Sequence, residues 1–236
     1  GQHAFQKWEN NHDGYGSFQD LEGASLEDVR NFHRDYYGPN NAVLSIAGDV
    51  TPAQGFALAK KYFGDIASRP TPKSGDFTEG LNTAEKRVQQ SDALAQVPAI
   101  AAAWKMPDRA SKDQAPMAVL GELLAGGDAS LFYQGLVKGR ELALNVDNLY
   151  GLTGPFEYDG PTLFTVFAVY KPNTNADAML AAMDEEIAKV VANGVDDAAL
   201  KRVKTRILAD WNNGLESFIN RADMLAKLQT LWGDAN

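Results

Sequence analysis

The chain has no cysteine, only three histidines, no excess of basic residues and no long apolar run. Without cysteine there are no thiolate zinc sites, disulfides or cysteine nucleophiles. A cysteine-free chain suits the cytosol and an oxidising periplasm alike, so compartment stays open. Lysine and arginine total 22 against 31 aspartates and glutamates, a net charge of −9. That balance argues against a nucleic-acid partner, which needs a basic face. No segment approaches the roughly 20 apolar residues that span a bilayer. The opening GQHAFQKWENN lacks a basic start and an apolar centre, so no signal peptide is expected in it.

Catalytic signatures are missing too. A zinc hydrolase usually places two histidines one helical turn apart with a glutamate beside them. His3, Glu9 and His12 are too far apart for one helix face, and His33 follows apolar Phe32. Each histidine reads as solvated or packed. Gly126-Gly127-Asp128-Ala129-Ser130 lacks the lysine of a phosphate loop and reads as a helix stop, a turn and a serine cap. There is no GxSxG elbow. Lys201, Arg202, Lys204 and Arg206 read as a solvated helix face, and Glu185-Glu186 and Asp196-Asp197 as helix-surface or helix-start acids.

What is present is a 236-residue chain, 44% hydrophobic, of ordinary globular composition. Ser25 before Leu26-Glu27-Asp28 predicts a capped helix carrying Leu26, Val29, Phe32 and Tyr36 or Tyr37 on one face, ended by Gly38-Pro39. Ala42 to Ala47 is short, apolar and partly β-branched, which predicts a buried strand. Thr51-Pro52-Ala53-Gln54 predicts a capping box and a helix to Gly64. Residues 68–83, SRPTPKSGDFTEGLNT, read as a linker. Beyond it strands are expected at Lys86 to Gln90, Val97 to Trp104, Leu142 to Tyr150 and Thr162 to Tyr170. Helices are expected at Lys112 to Leu124, from Ser130 to about Lys138, at Asp177 to Ala192, and in one long stretch from Asp196 through Phe218. This mixture predicts an α+β fold with helices packed on one face of an antiparallel-rich sheet.

The stretch SLEDVRNFHRDYYGPNNAVLSIAGDV, followed by the TPAQ-capped helix ending KKYFGDI, resembles the insulinase and pitrilysin-type family of zinc metallopeptidases. AGGDASLFYQGLVKGRELALNV is similar to that family's Gly-Gly-x-x-Ser-Arg-Leu segment, and AALKRVKTRILADW to its long late helix. The resemblance runs from about residue 20 onward. It implies processing-peptidase-like α+β repeat domains in a clam-shell. Residues 1–67 would be the C-terminal part of a first domain, 68–83 the linker, and 84–236 a second, non-catalytic domain incomplete at its C-terminus.

Two departures bear on function. The family's inverted His-x-x-Glu-His signature is absent, so the resemblance gives this chain no zinc and no other cofactor. Zinc is expected only in an upstream or partner segment. Active family pairs also use an arginine and a tyrosine seven residues apart to hold substrate and steady the oxyanion. Val137 and Leu144 stand at those places, and neither side chain can donate a hydrogen bond. Lys138 is one residue away and would face another side of its helix. Tyr133 and Lys138 are the residues expected to touch substrate.

The resemblance therefore implies a catalytically silent portion of a bacterial metallopeptidase. It would line the chamber and bind peptide or unfolded polypeptide, beside a zinc-bearing half or a second copy of the chain. Two rivals remain: a piece of an active zinc endopeptidase with HxxEH upstream, and a non-enzymatic scaffold subunit. Periplasm or cytoplasm would suit it, and family analogy favours the periplasm.

Overall fold

The computed structural model describes residues 1–12, 14–151 and 154–235. Their contacts divide the chain into two units. One holds residues 1–12 and 77–208, the other 13–76 and 209–236.

The first unit is built on a three-stranded antiparallel sheet. β1 (Ala99–Lys105), β2 (Ala143–Tyr150) and β3 (Leu163–Tyr170) lie in the order β1-β3-β2. β3 is central because nearly all its residues are β-branched or aromatic, and alternate ones are buried. Phe164, Val166, Ala168 and Tyr170 of β3 point inward, with Val146 and Tyr150 of β2 and the half-buried Ile100 and Ala102 of β1. Helices cover that face. Leu124 and Ala125 come from α5 (Gln114–Ala125), Phe132 and Leu136 from the segment after Ser130, and Met179, Ala182 and Met183 from α6 (Ala176–Asn193). α7 (Asp197–Gly214) lays Ala199 and Val203 against Leu123 of α5. A short α1 (Trp8–Asn11) also belongs to this unit. The α+β expectation, with helices on one sheet face, is borne out.

The second unit contains α2 (Phe18–Gly23), α3 (Leu26–Tyr36), α4 (Pro52–Phe63) and α8 (Phe218–Trp232). Both predicted caps form. The Ser25 hydroxyl accepts from the Asp28 N–H while the Asp28 carboxylate accepts from the Ser25 N–H, and Thr51 and Gln54 do the same. The apolar stripe of α3, Leu26, Val29 and Phe32, is exposed.

Three local expectations need correction. Ala42 to Ala47 is no ladder strand: Ala42 is extended, but no sheet partner exists for the run among the described residues. An apolar, β-branched composition makes a strand only where a second strand supplies the hydrogen bonds. Lys86 to Gln90 is likewise irregular, and Arg87 is held by side chains, Glu85 and Asp177, rather than by a ladder. The long stretch from Asp196 breaks at Gly214. Ser217 begins α8, and the Arg221 guanidinium donates to the Leu215 carbonyl freed by the break.

The predicted helix after Ser130 continues from Tyr133 to Gly139 as a π-helix, closed by the Arg140 N–H donating to the Gly135 carbonyl. Gly135 leaves room there for Glu186, whose carboxylate would lie 2.7 Å from a Cβ at this position. Just beyond, Glu141 takes a positive φ of 52°. The left-handed conformation costs an L-residue roughly 1–2 kcal/mol. The Glu141–Lys171 ion pair at 3.3 Å is exposed and offsets little of that. Glu141→Gly is therefore expected to stabilise the chain by about 1 kcal/mol, read as a rise in the urea midpoint at unchanged slope. A fall in that midpoint would show that the ion pair outweighs the strain.

Candidate functional site

The sheet's other face is exposed at Ala99, Ala101 and Ala103 of β1, and at its Lys105 end it meets Phe5 and Glu79. Strand alternation assigns to it Ala99, Ala101, Ala103 and Lys105 of β1, Leu163, Thr165, Phe167 and Val169 of β3, and Asn145, Asp147 and Leu149 of β2. Phe167 and Leu149 are exposed, so this is a broad, mostly apolar surface floored by alanine.

β1 is also a sheet edge. The Met106 N–H donates to the Thr162 carbonyl and the Tyr170 N–H to the Pro98 carbonyl. The even-numbered residues of β1 thus exchange hydrogen bonds with β3. The backbone groups of Ala99, Ala101, Ala103 and Lys105 point the other way, outward from the sheet. No proline or charge interrupts the edge before Lys105.

The four residues singled out by sequence lie on or near β2. Leu144 is 48% exposed and sits in a β-bulge, where the β2–β3 register shifts between Ala143 and Asn145. Val137 is half-buried and packs against the main core. Lys138 is exposed, and its Nζ lies 5.8 Å from the centroid of the Tyr133 ring. Tyr133 and Lys138 are thus brought together on the π-helix, as a cation over an aromatic face. Arg140 is not free: it pairs with Glu185 at 2.5 Å and, more loosely, with the buried Glu186, which also binds Lys189 at 2.7 Å.

The histidines do not converge. His12 stacks on Trp8 in the first unit, and His33 stacks on Tyr37 in the second. Among the described residues no three histidine, aspartate or glutamate side chains are placed to hold a metal ion.

Two polar constellations support the scaffold. Arg206 of α7 donates to the Glu122 carboxylate and to the Gly126 carbonyl, and Asn148 of β2 donates to Glu122 at 2.8 Å. Burial, then the nearby Glu122 charge, pushes the Tyr150 phenol up, and its hydroxyl donates to the Ala118 carbonyl. The second constellation is centred on Glu79, inside the predicted linker, and sequence reasoning missed it. Burial would raise this carboxyl, but hydrogen bonds from Asn10, Lys7 and Gln6 and the charge of Lys105 overcome it and lower the pKa to about 2.

The family profile of the peptidase M16 inactive domain matches residues 23–207. The chain belongs to that family. The zinc protease PqqE of Helicobacter pylori is 27% identical over 217 residues, covering 89% of this chain and 47% of that protein. An uncharacterised zinc protease of Mycobacterium leprae is 24% identical over 226 residues, 92% of this chain and 48% of that protein. The crystal structure of a protease from Helicobacter pylori superimposes with a TM-score of 0.81 at 24% identity, covering 92% of this chain and 52% of that one. A peptidase M16 inactive domain from Pseudomonas fluorescens gives 0.74 at 16% identity, over 99% and 54%. At these identities the structures establish the fold. The chain spans about half the length of the curated relatives it matches. No helix among the described residues is long and apolar enough to cross a membrane.

Proposed function

We propose that this M16 inactive domain is a silent chamber wall that holds an extended peptide for cleavage by a zinc-bearing segment or partner. One observation carries the reading: an alanine-floored sheet face bordered by an edge strand whose odd-numbered backbone groups point away from β3. A peptide added antiparallel or parallel to β1 would pair with Ala99, Ala101 and Ala103 whatever its sequence. Phe167 and Leu149 would meet side chains on that face, and Tyr133 with Lys138 offers a second contact. Residues 1–67 and 84–236 are then the C-terminal part of a first peptidase-like domain and a second, silent one. On this reading zinc would sit in an upstream or partner segment. A periplasmic setting has one support, the fold likeness to the periplasmic protease PqqL of Escherichia coli, with a TM-score of 0.58.

The test is Ala101→Pro. Proline removes an outward N–H and leaves the β1–β3 bonds intact, because the Ala101 N–H is not among them. Each backbone hydrogen bond lost costs about 0.5–1.5 kcal/mol, so binding of a labelled unfolded peptide should weaken by up to ~10-fold. Fluorescence anisotropy measures this, with circular dichroism checking the fold. Unchanged affinity in a folded variant, or no affinity in the parent chain, would end the proposal.

A further inference from the structure

The chain leaves the first unit after His12 and returns at Phe77, so residues 13–76 are an excursion with two ends. Both ends are fastened at one carboxylate. Glu79, its side chain 3% exposed, accepts from the Gln6 N–H at 3.1 Å, the Lys7 N–H at 2.9 Å and the Asn10 amide at 3.0 Å. The Asn10 amide also donates to the Phe77 carbonyl at 2.9 Å, and the Lys7 ammonium to the Thr78 hydroxyl at 3.2 Å. From β1, Lys105 reaches Glu79 at 3.6 Å and donates to the Gly80 carbonyl at 2.6 Å. The Lys105 ammonium also lies 5.4 Å from the ring centroid of Phe5, itself buried.

We infer that Glu79 is a clasp, a single side chain that ties the outgoing and returning strands of the 13–76 excursion to each other and to the end of β1. The inference does not depend on the peptide-binding reading. Three features separate a clasp from an ordinary buried ion pair. The carboxylate spends its acceptors on backbone and amide donors some seventy residues away in sequence rather than on a neighbour. Its cation, Lys105, is shared with a carbonyl and an aromatic ring. And none of Phe5, Gln6, Lys7, Asn10, Glu79 and Lys105 belongs to the hydrophobic cluster that packs the first unit. Opening the clasp therefore frees residues 5–11 from 77–80 and leaves the β2–β3 core closed.

Hydrogen exchange on the full chain decides it. Glu79→Gln keeps the shape but loses the charge that holds two backbone N–H groups and the lysine. Amides of residues 6–11 should then exchange at least tenfold faster, while those of β2 and β3 keep their protection. Asn10→Ala removes one donor and should open the same segment less, which keeps the test valid if Glu79→Gln fails to fold. Unchanged exchange at 6–11 in both variants overturns the clasp. Equal loss of protection across residues 6–11, β2 and β3 overturns it as well, since Glu79 would then be a general stabiliser of the unit.

Discussion

A mixture of this chain with the zinc-bearing half of an M16 protease should cleave peptide on the order of 100-fold faster once Val137→Arg and Leu144→Tyr are introduced together. The size comes from what one preorganised donor to a developing oxyanion is worth elsewhere, about 10²-fold or more in rate. The positions suit the change unequally. Leu144 is half exposed in the β2 bulge, where a tyrosine ring extends without displacing core atoms. Val137 rests against the core, so an arginine there must run its stem along apolar surface and lift its guanidinium into water. Leu144→Tyr alone should therefore fold normally, and the double variant should be somewhat less stable. Initial rates of parent and variant mixtures are compared, with circular dichroism as the control. A parent mixture already at full rate would show that the chain is not silent. A folded double variant with no gain would show that donors at these positions do not reach the substrate.

The second large effect is on stability. Gly121 lies buried in α5, and a Cβ added there would stand 2.0 Å from the Tyr150 hydroxyl and 2.9 Å from the Phe164 ring. In an exposed helix glycine to alanine gains up to about 1 kcal/mol. Here the methyl group must displace Tyr150, break its hydrogen bond to the Ala118 carbonyl and push on the central strand. Overpacking of this kind costs typically 1–3 kcal/mol, and the lost bond adds about 1 more, so Gly121→Ala should destabilise by about 2–4 kcal/mol. Denaturant unfolding measures it. A variant as stable as its parent would mean that Tyr150 moves aside without loss.

Local chemistry was legible in the sequence. The Ser25 and Thr51 caps need only residues three apart and formed as expected. The strand at β3 was legible from its β-branched and aromatic run, though which of its faces is buried was not. What depends on distant partners was not legible. Ala42 to Ala47 has strand composition, but pairing is settled by another segment. The π-helix from Tyr133 differs from an α-helix by one residue in hydrogen-bond spacing, a difference no periodicity over seven residues resolves. Glu79 stands in a run read as linker, and its partners Gln6, Lys7 and Asn10 carry no signal of their own. The site was half visible. Tyr133 and Lys138 could be named from a resemblance, whereas the outward edge of β1 required strand order and register.

That edge has a consequence for handling and for life in a crowded cell. An unprotected edge strand is a template for other chains, and proteins blunt such edges with prolines and lysines. β1 is flanked by Pro98 and closed by Lys105, with four alanines between. Alanine side chains offer a neighbour little packing area, so whatever zips onto this edge is held mainly by backbone hydrogen bonds of about 0.5–1.5 kcal/mol each. Proline before the run and lysine after it limit how far such pairing extends.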